Sequence, residues 1–563
     1  MNKNTLFLIF LICCGSFIRI KELSLYDFSF DDFWHLYIAN QDNLLLVLKK
    51  NFEVEFHPPL SVILWHFALK ISDNQMWLRS FSIVFGLALI PSFYVLGKLF
   101  IDRFAGYLLS YLVTFGYVFV VQSAIIRAYI FMIFFLVWMM IFAYRYLQKP
   151  KTKYLWLYFG FAFCAAELYH YSCIAIMFLS SSLFINCYKN KNYEHLKIVI
   201  LTNLLLLLLK LIYLTILVNL NRDIYVWEIS DLKENYVVKL IFQILFFLFI
   251  SDNYFFSNAA FLYDALNELF LFGFFYLIFK FIKEKKWHML NMVFLPIIFS
   301  ILMSHLNIIP HQYIIRRILF LIPNQLIILA ILIVTLKNLL LKCLYKFKFI
   351  EFFKARILAN FSIITIKSIE GLVIVVLCLY PIYFYSINAF SREYQSSIYF
   401  EDFVKAKQVE LRDSIFSELL ADDSNIMIVG RSFKWEFLYK IKNSDLKRLD
   451  RNLYISKIEN KEVFFVFLDK FPAELRMDLF FANIKNYLLK NRQFYNKRNL
   501  IIVENCFGKV CNLIEANLNF LNCRFSLFNP HDRFNNNKTL SKYEFNFYDE
   551  NITNYNFLKI NFR

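Results

Sequence analysis

The sequence predicts an all-α polytopic membrane bundle of about eleven transmembrane helices, followed by a small α/β domain outside the membrane. Apolar residues make up 59% of the 563 residues and charged residues 18%, whereas a soluble domain has roughly 45–50% and about 25%. Apolar runs of about 20 residues, the length that spans a bilayer, recur along the chain. Lys and Arg concentrate in alternate loops. Together these observations exclude a disordered chain and argue against a wholly soluble one.

Eleven stretches before residue 389 are long and apolar enough to be predicted as spans. They cover residues 4–20, 80–100, 105–124, 128–147, 154–172, 173–188, 197–218, 259–282, 289–308, 317–336 and 369–388. The first is predicted to be a retained signal-anchor, because it lacks a small-residue cleavage site and further spans follow. The run 240–250 is too short to span and is predicted to lie in the interface or to re-enter.

The chain is predicted to contain two domains, a membrane domain at 1–388 and an extracytoplasmic domain at 389–563. Strand-like segments in the second domain occur at 426–430, 463–468 and 500–504. Helical stretches near 400–420 and 472–490 alternate with them, which is typical of a small α/β fold.

The distribution of positive charge predicts the orientation of the spans. The chain has 61 Lys and Arg against 43 Asp and Glu, a net charge of +18. One set of short loops is rich in these residues and the opposite set is nearly free of them. We therefore expect an integral multi-pass protein of the bacterial inner membrane, with a cytoplasmic N-terminus and a periplasmic or extracellular C-terminal domain. Because topology accounts for the charge, no nucleic-acid partner is predicted.

Ionisable residues next to the spans need a reason, because a charge at the bilayer centre costs about 2.5–3.5 kcal/mol. Asp31 and Asp32 follow the first span. Adjacent residues of a helix point in different directions, so one carboxylate can face a site while the other does not. Such a carboxylate is suited to act as a general base toward a hydroxyl. The alternative is a solvated loop in which Asp31 caps a helix.

A second group of polar residues precedes the second span. His57 stands directly before Pro58 and Pro59, which fix the start of a helix. His57 is a candidate ligand for a metal or a phosphate, and a purely structural role is the alternative. Arg79, at the entrance of the span, is typical of an interface anchor.

The remaining candidates lie where later spans meet the outer surface. Each is compatible with an interface residue, but the predicted topology puts them all at the same depth, where Arg side chains suit an anionic headgroup. They are Arg127, Glu167, His170, His311, Tyr313, Arg316 and Arg317.

As an ordered set, these motifs resemble the GT-C membrane glycosyltransferases, in particular the protein O-mannosyltransferases and the bacterial transferases of aminoarabinose and related sugars. The resemblance covers roughly residues 1–390. The matching elements are the acidic pair Asp31-Asp32, His57-Pro58-Pro59, Arg127-x-Tyr129, Tyr169-His170-Tyr171, and Arg316 with Pro323. Three positions depart from the family pattern: Ile125 where an acidic residue is common, Arg317 in place of Tyr, and Asp32 in place of Glu.

The resemblance implies an enzyme that uses a polyprenyl-phosphate sugar as donor and a hydroxyl of a lipid, glycan or protein as acceptor, at the outer face of the bilayer. Asp31 corresponds to the catalytic carboxylate, here expected to act as the base, and Asp32 to its partner. A single displacement of this kind would invert the anomeric centre. The expected phosphate ligands are Arg316 and Arg127, with Arg317 and His57 as further candidates, and Tyr129, His170 and Tyr313 are expected to line the substrate pocket.

Cofactor use is left open by the sequence. The shortened Asp32 leaves use of a divalent metal undecided. The motifs G-x-x-x-x-G-K and G-x-G-x-x-G do not occur, so the sequence gives no support for a soluble nucleotide site.

Two other classes of function remain as alternatives. A polytopic transporter or lipid flippase shares the many spans, but it predicts charges at mid-membrane depth and helices broken by Gly or Pro in repeated halves. Here the candidate charges collect at one edge, and only 10 Gly and 10 Pro occur. An inactive structural relative is compatible with Ile125 and Arg317, although both Asp residues are retained.

Overall fold

The computed structural model describes residues 3–25, 30–54, 57–220, 260–305 and 319–346, together with nine strands between residues 426 and 562. The chain divides into two compact units. The first comprises Met1–Ser24 and Asn43–Glu401, and the second Leu25–Asp42 and Asp402–Arg563. In the described part of the chain, helices dominate the first unit and all strands belong to the second.

The helices follow one another along the chain with short connections. They are α1 (Lys3–Leu25), α2 (Phe30–Ala39), α3 (Leu44–Val54), α4 (Leu60–Leu69), α5 (Gln75–Phe100), α6 (Arg103–Phe115), α7 (Tyr117–Gln122), α8 (Tyr129–Gln148), α9 (Thr152–Leu168), α10 (Ser172–Lys189), α11 (Tyr193–Leu220), α12 (Ala260–Lys283), α13 (Trp287–Met289), α14 (Leu295–His305) and α15 (Ile322–Lys346). A π-helical turn at Leu290–Phe294 joins α13 to α14, and a 3₁₀ turn at Leu319–Leu321 precedes α15.

Five helical segments among the described residues are long and apolar enough to cross a membrane. They are Gln75–Phe100, Tyr129–Gln148, Ser172–Lys189, Tyr193–Tyr213 and Leu319–Leu339. These segments support a multi-pass helical membrane protein, and the number eleven stays a prediction. The predicted segments at 240–250 and 369–388, and the helical stretches near 400–420 and 472–490, lie outside the described residues.

Burial within the first unit explains which helices form its core. The central helix α8 packs against α5, α9 and α10, and its side chains are mostly buried. The helix α11 is different, because a row of leucines including Leu201, Leu204, Leu205 and Leu208 is exposed along it. An exposed apolar row on a long helix is the surface expected to face lipid tails.

The prediction of one continuous helix at 105–124 was wrong, because the helix is broken at Gly116. The helix α6 ends at Phe115, Gly116 adopts an extended conformation (φ −67°, ψ 124°), and α7 begins at Tyr117. A break leaves the last carbonyls of a helix without their i+4 partners. In the interior of a membrane protein those carbonyls must be satisfied by other donors.

Arg19 of α1 supplies these donors. Its Nη2 donates to the Val113 carbonyl at 3.0 Å and its Nη1 to the Thr114 carbonyl at 3.2 Å. The Nε atom donates to Ser123 Oγ at 3.1 Å. The side chain is fully buried. A cation at the C-terminus of a helix is also favoured by the helix dipole, so Arg19 stabilises the broken end of α6 and holds the chain beyond α7.

A glycine allows this arrangement. A Cβ atom on Gly86 of α5 would lie 2.0 Å from Ser123 Oγ and 3.2 Å from Arg19 Nε. The first distance is too short for non-bonded atoms and the second is tight, so a larger residue at position 86 would displace the chain around Ser123.

We expect Arg19→Met to destabilise the protein by about 1–3 kcal/mol, because the substitution leaves buried carbonyl groups without a donor. Thermal unfolding of the protein in detergent would measure the effect. Arg103→Met, which removes an exposed guanidinium at the start of α6, is the matched control and should change stability little. An Arg19→Met variant as stable as the control would contradict this role.

Lysine-rich turns gather at one end of the first unit. Tyr146 Oη, near the end of α8, lies 2.8 Å from His195 Nδ1 and 3.1 Å from Cys187 Sγ, which joins the ends of α8 and α10 to the start of α11. The ring of Tyr144 lies 6.3 Å from that of His288, which places the turn after α12 at the same level. We call the turns 145–153, 189–197 and 280–288 the basic end. Their basic residues are Arg145, Lys149, Lys151, Lys153, Lys189, Lys191, Lys197, Lys280, Lys283, Lys285 and Lys286.

The second unit contains a sheet of seven strands in the described part of the chain. The order is β2-β3-β4-β1-β5-β6, with β8 pairing to β5, while β7 and β9 form a separate antiparallel pair. The strands are β1 (Ile426–Val429), β2 (Leu446–Arg448), β3 (Leu453–Ile458), β4 (Lys461–Phe467), β5 (Asn499–Val503), β6 (Phe525–Phe528), β7 (Leu540–Tyr543), β8 (Asn556–Phe557) and β9 (Lys559–Phe562).

The centre of this sheet is parallel. Strand β1 pairs in parallel with β4 and β5, and β5 pairs in parallel with β6. Parallel strands require crossover connections, and the α/β class of this domain stays a prediction. The segments predicted as strands at 426–430, 463–468 and 500–504 coincide with β1, β4 and β5 to within two residues. The domain boundary at 388 stays a prediction.

Candidate functional site

Four of the predicted site residues lie in the described part of the first unit, namely His57, Arg127, Tyr129 and His170. Tyr313, Arg316 and Arg317, together with His311, lie outside the described residues. The acidic pair belongs to the second unit, where Asp31 and Asp32 are consecutive residues of α2 and Asp32 is fully buried.

His57 is surrounded by tyrosine rings. Its ring centroid lies 5.4 Å from that of Tyr169 and 6.4 Å from that of Tyr129, and the two tyrosine rings are 5.7 Å apart. Tyr129 opens α8, Tyr169 lies in the turn between α9 and α10, and His57 precedes α4. The connections between three pairs of helices thus bring these aromatic groups together, and we call them the His57 cluster.

The backbone of His57 is fixed by two side chains. The Tyr213 hydroxyl of α11 donates to the His57 carbonyl at 2.7 Å, and Asn51 Nδ2 of α3 donates to the same oxygen at 3.2 Å. Pro59 then leads directly into α4, which begins at Leu60. The predicted role of the two prolines in fixing a helix entrance agrees with this geometry.

Tyr213 also brings His170 to the cluster. The His170 and Tyr213 rings have centroids 4.9 Å apart, and the Tyr213 ring lies 5.3 Å from Phe52. Next to His170, the Tyr171 ring stacks on Phe320 at 6.3 Å. Two histidines from distant parts of the sequence therefore share one aromatic neighbourhood, through a tyrosine that the sequence motifs did not include.

Arg127 lies in the turn between α7 and α8, two residues before Tyr129. Its side chain is only 6% exposed. Ser82 of α5 donates through its hydroxyl to the Ile125 carbonyl at 2.8 Å, and Ile83 packs against Ala124. This turn is thus held firmly against α5, which fixes the backbone that carries Arg127.

Arg79 adds a second buried guanidinium on α5. It lies three residues before Ser82, and therefore on the same face of the helix, the face that meets the Arg127 turn. The side chain of Arg79 is fully buried, so the expectation of an interface anchor was wrong. Burial of a permanently charged group requires polar or anionic surroundings.

Glu167 is engaged in an ion pair. Its Oε1 lies 2.7 Å from Lys210 Nζ, and the same ammonium donates to the Ala166 carbonyl at 2.8 Å. The pair joins the end of α9 to α11, one turn before Tyr213. Glu167 and Lys210 thus hold in place the helix whose tyrosine fixes His57.

The His57 cluster and the basic end occupy opposite ends of α8. Tyr129 begins this helix and Tyr146 is near its last residue, Gln148. A helix of 20 residues is about 30 Å long, close to the thickness of the bilayer hydrocarbon. The candidate site therefore lies at the end of the bundle away from the lysine-rich turns.

The residues described do not assemble a metal site. Among them, no group of three or more His, Cys, Asp or Glu side chains is arranged to hold a metal ion. The His57 cluster supplies aromatic faces and one imidazole, His170 lies next to it through Tyr213, and Arg127 is two residues before Tyr129. Aromatic, imidazole and guanidinium groups suit an organic ligand with a phosphate group.

Two residues that shape this region escaped the sequence motifs. Arg19 had a signal, since it is a charge at the end of an apolar run and such charges are expensive. Tyr213 had little signal in the sequence, because it lies within a leucine-rich run. Its role comes from its hydrogen bond to the His57 carbonyl.

Comparisons with known proteins give similarities to solved structures only. No family model matches the sequence, and no curated protein matches it. A crystal structure of the oligosaccharyltransferase of Archaeoglobus fulgidus, tethered by a disulfide to an acceptor peptide with the NVT sequon, matches at a TM-score of 0.42 and 12% identity. The match covers 77% of this chain and 63% of that one, so less than two thirds of the archaeal enzyme is represented.

Proposed function

We propose that this protein is a membrane glycosyltransferase that transfers a sugar from a polyprenyl-phosphate donor to an acceptor hydroxyl. The observation that carries the proposal is the buried Arg127, two residues before Tyr129 of the His57 cluster, at the end of a membrane bundle opposite its lysine-rich turns. A lipid-borne phosphate is delivered at this depth of the bilayer, and a buried guanidinium is suited to bind it.

The chemistry requires few groups. The phosphate ester leaves from the anomeric carbon, and the negative charge that develops on it needs stabilisation rather than a proton. We assign this stabilisation to Arg127 and Arg316, with Arg317 and His57 as further phosphate ligands. The acceptor hydroxyl needs a base, which we assign to Asp31 with Asp32 as its partner, and the displacement inverts the anomeric centre.

Aromatic and imidazole side chains in and beside the cluster are assigned to the sugar. We assign Tyr129, His170 and Tyr313 to the lining of the substrate pocket. Because positive charge marks the cytoplasmic side of a membrane protein, we place the basic end in the cytoplasm and the His57 cluster at the outer face. The acceptor is then a lipid, glycan or protein of the cell envelope.

A transfer assay tests this function. The purified full-length protein is incubated with radiolabelled polyprenyl-phosphate sugars and with fractionated cell envelope as acceptor. We expect label to pass from the lipid to one fraction, which identifies the acceptor class. A panel of donors that yields no transfer, while the protein in proteoliposomes moves the labelled lipid between leaflets, would overturn the proposal in favour of a flippase.

A further inference from the structure

Two turns at the basic end share an uncommon backbone conformation. Lys191 and Lys285 have φ angles of 52° and 54°, and they are the non-glycine residues with positive φ in the described part of the chain. Lys191 follows α10 and Lys285 follows α12. When a helix ends on a left-handed residue, that residue is usually a glycine.

Both turns close their helix in the same way. The Lys191 N–H donates to the Tyr188 carbonyl at 3.0 Å, and the Asn192 N–H to the Cys187 carbonyl at 2.9 Å. After α12, the Lys285 N–H donates to the Ile282 carbonyl at 3.0 Å, and the Lys286 N–H donates to the Phe281 carbonyl at 2.9 Å. These are the two bonds of a Schellman motif, so the left-handed residue is part of a well-formed turn.

Lysine is a poor choice for this conformation on backbone grounds alone. Its Cβ makes the left-handed region unfavourable, whereas glycine and asparagine adopt it more readily. Both lysine side chains are exposed. Because the same unfavourable conformation occurs at two equivalent positions, we expect another interaction of each lysine side chain to offset its energetic cost.

The neighbouring residues indicate where that interaction occurs. Tyr188 and Tyr193 flank the first turn and are 64% and 58% exposed, and Trp287 follows the second at 56%. Exposed tyrosine and tryptophan at the ends of apolar helices are typical of the headgroup level of a bilayer. The turns therefore carry their positive charges where phospholipid headgroups lie.

Acidic residues in and beside these turns offset only part of this charge. Glu284 lies in the second turn with its Oε2 2.8 Å from Lys286 Nζ. That hydrogen bond lowers the pKa of Glu284, so its carboxylate stays ionised and paired with Lys286. Glu194 follows the first turn, but Lys189, Lys191 and Lys197 surround it in sequence.

We propose that these two turns form a binding surface for the headgroups of anionic phospholipids, with Lys191 and Lys285 as its contact residues. The lysine ammonium groups pair with lipid phosphates, and the aromatic residues beside them hold the turns at that depth. The proposal is independent of sugar transfer, since it concerns the end of the bundle away from the His57 cluster.

The test compares lipid binding by two double variants. Lys191→Asn with Lys285→Asn removes both charges and supplies a residue that tolerates the left-handed conformation. Lys49→Asn with Lys70→Asn removes the same charge from exposed positions outside the basic end. Each protein is reconstituted in nanodiscs of phosphatidylcholine with increasing phosphatidylglycerol, and the relative association of labelled phosphatidylglycerol is measured together with thermal stability.

We expect the first pair to lower the association of phosphatidylglycerol about fivefold for each lysine lost and to remove most of the stabilisation by this lipid. In pure phosphatidylcholine the same variant should be at least as stable as the wild type, because the strained conformation is relieved. The second pair should behave like the wild type.

Three results would overturn the proposal. Equal loss of lipid association in both pairs would identify net charge as the cause. Unchanged association in the first pair would remove Lys191 and Lys285 from any lipid site. Equal stabilisation of the wild type by soluble tripolyphosphate would show a site for phosphate in general rather than a membrane surface. Because the readout does not involve sugar transfer, failure here leaves the glycosyltransferase proposal to its own assay.

Discussion

Replacing Asp31 with Asn is expected to lower the rate of sugar transfer by about 10²–10⁴-fold, the usual cost of removing a general base. Asparagine has nearly the shape of aspartate but cannot accept the proton of the acceptor hydroxyl. The proposed role therefore predicts a fall in kcat, with the KM for the lipid donor changed much less. Steady-state transfer from a polyprenyl-phosphate sugar, measured with the purified variant, gives both parameters.

The control for this substitution is Asp42→Asn, the same chemical change at an exposed position between α2 and α3. It should leave kcat unchanged. Monodisperse behaviour in detergent and an unchanged melting temperature would show that Asp31→Asn folds and inserts. Transfer at a near-normal rate by such a folded variant would refute the assignment of the base.

The helical part of the fold was predictable because hydrophobic length is a strong signal. Helices occur at ten of the eleven predicted positions, and the eleventh lies outside the described residues. The break at Gly116 was not predicted, since the apolar run continues through it. A break in such a run depends on a remote donor for the freed carbonyls, here Arg19, which lies about a hundred residues earlier.

Local details were missed for a similar reason. The π-helical turn at Leu290–Phe294 leaves no mark in composition or periodicity. Asn324 of α15 donates to the Met292 carbonyl at 2.8 Å, within this turn. The pairing of an irregular helix with an amide from another helix arises only when the chain packs.

In the candidate site, too, the sequence indicated individual residues, whereas their contacts appear only in the folded structure. His57 and His170 were selected as polar residues next to predicted spans and Tyr129 through the family resemblance, and the structure brings them into one aromatic neighbourhood. Glu167 was grouped with them by its distance along the chain, but its ion pair with Lys210 gives it a structural role. Tyr213 contacts both His57, which lies 156 residues earlier in the chain, and His170, a relation that spacing alone does not encode.

The exposed surface of α11 explains why its polar residues matter. Leucines along this helix are exposed. Near the His57 cluster the helix is attached by the packing of the Tyr213 ring on Phe52 and His170 and by polar contacts. They are the Lys210–Glu167 ion pair, the Lys210 bond to Ala166 and the Tyr213 bond to His57. In an apolar environment such bonds have no competing water, so a small number can fix the helix beside the site.

Arg127→Ala is expected to lower kcat for sugar transfer by about 10²–10³-fold, the cost of losing one donor that stabilises developing negative charge. The Arg127 guanidinium is nearly buried, in a turn fixed by Ser82 and Ser123. A fixed donor of this kind gains strength as charge moves onto the leaving phosphate. Arg127→Lys keeps the charge but loses the two-pronged geometry, and we expect it to retain intermediate activity.

Measurement of donor binding separates the proposed role from a structural one. If Arg127 acts on the leaving group, Arg127→Ala should reduce kcat more than the affinity for a non-transferable polyprenyl phosphate, and Arg127→Lys should restore part of kcat at constant affinity. A residue that only supports the fold would lose stability and both parameters together, without rescue by lysine. Arg103→Ala, at the exposed start of α6, is the matched loss of a guanidinium and should leave both unchanged. Wild-type kcat and donor affinity in a folded Arg127→Ala variant would exclude this residue from the reaction, and the observation that carries the proposed function would then fall.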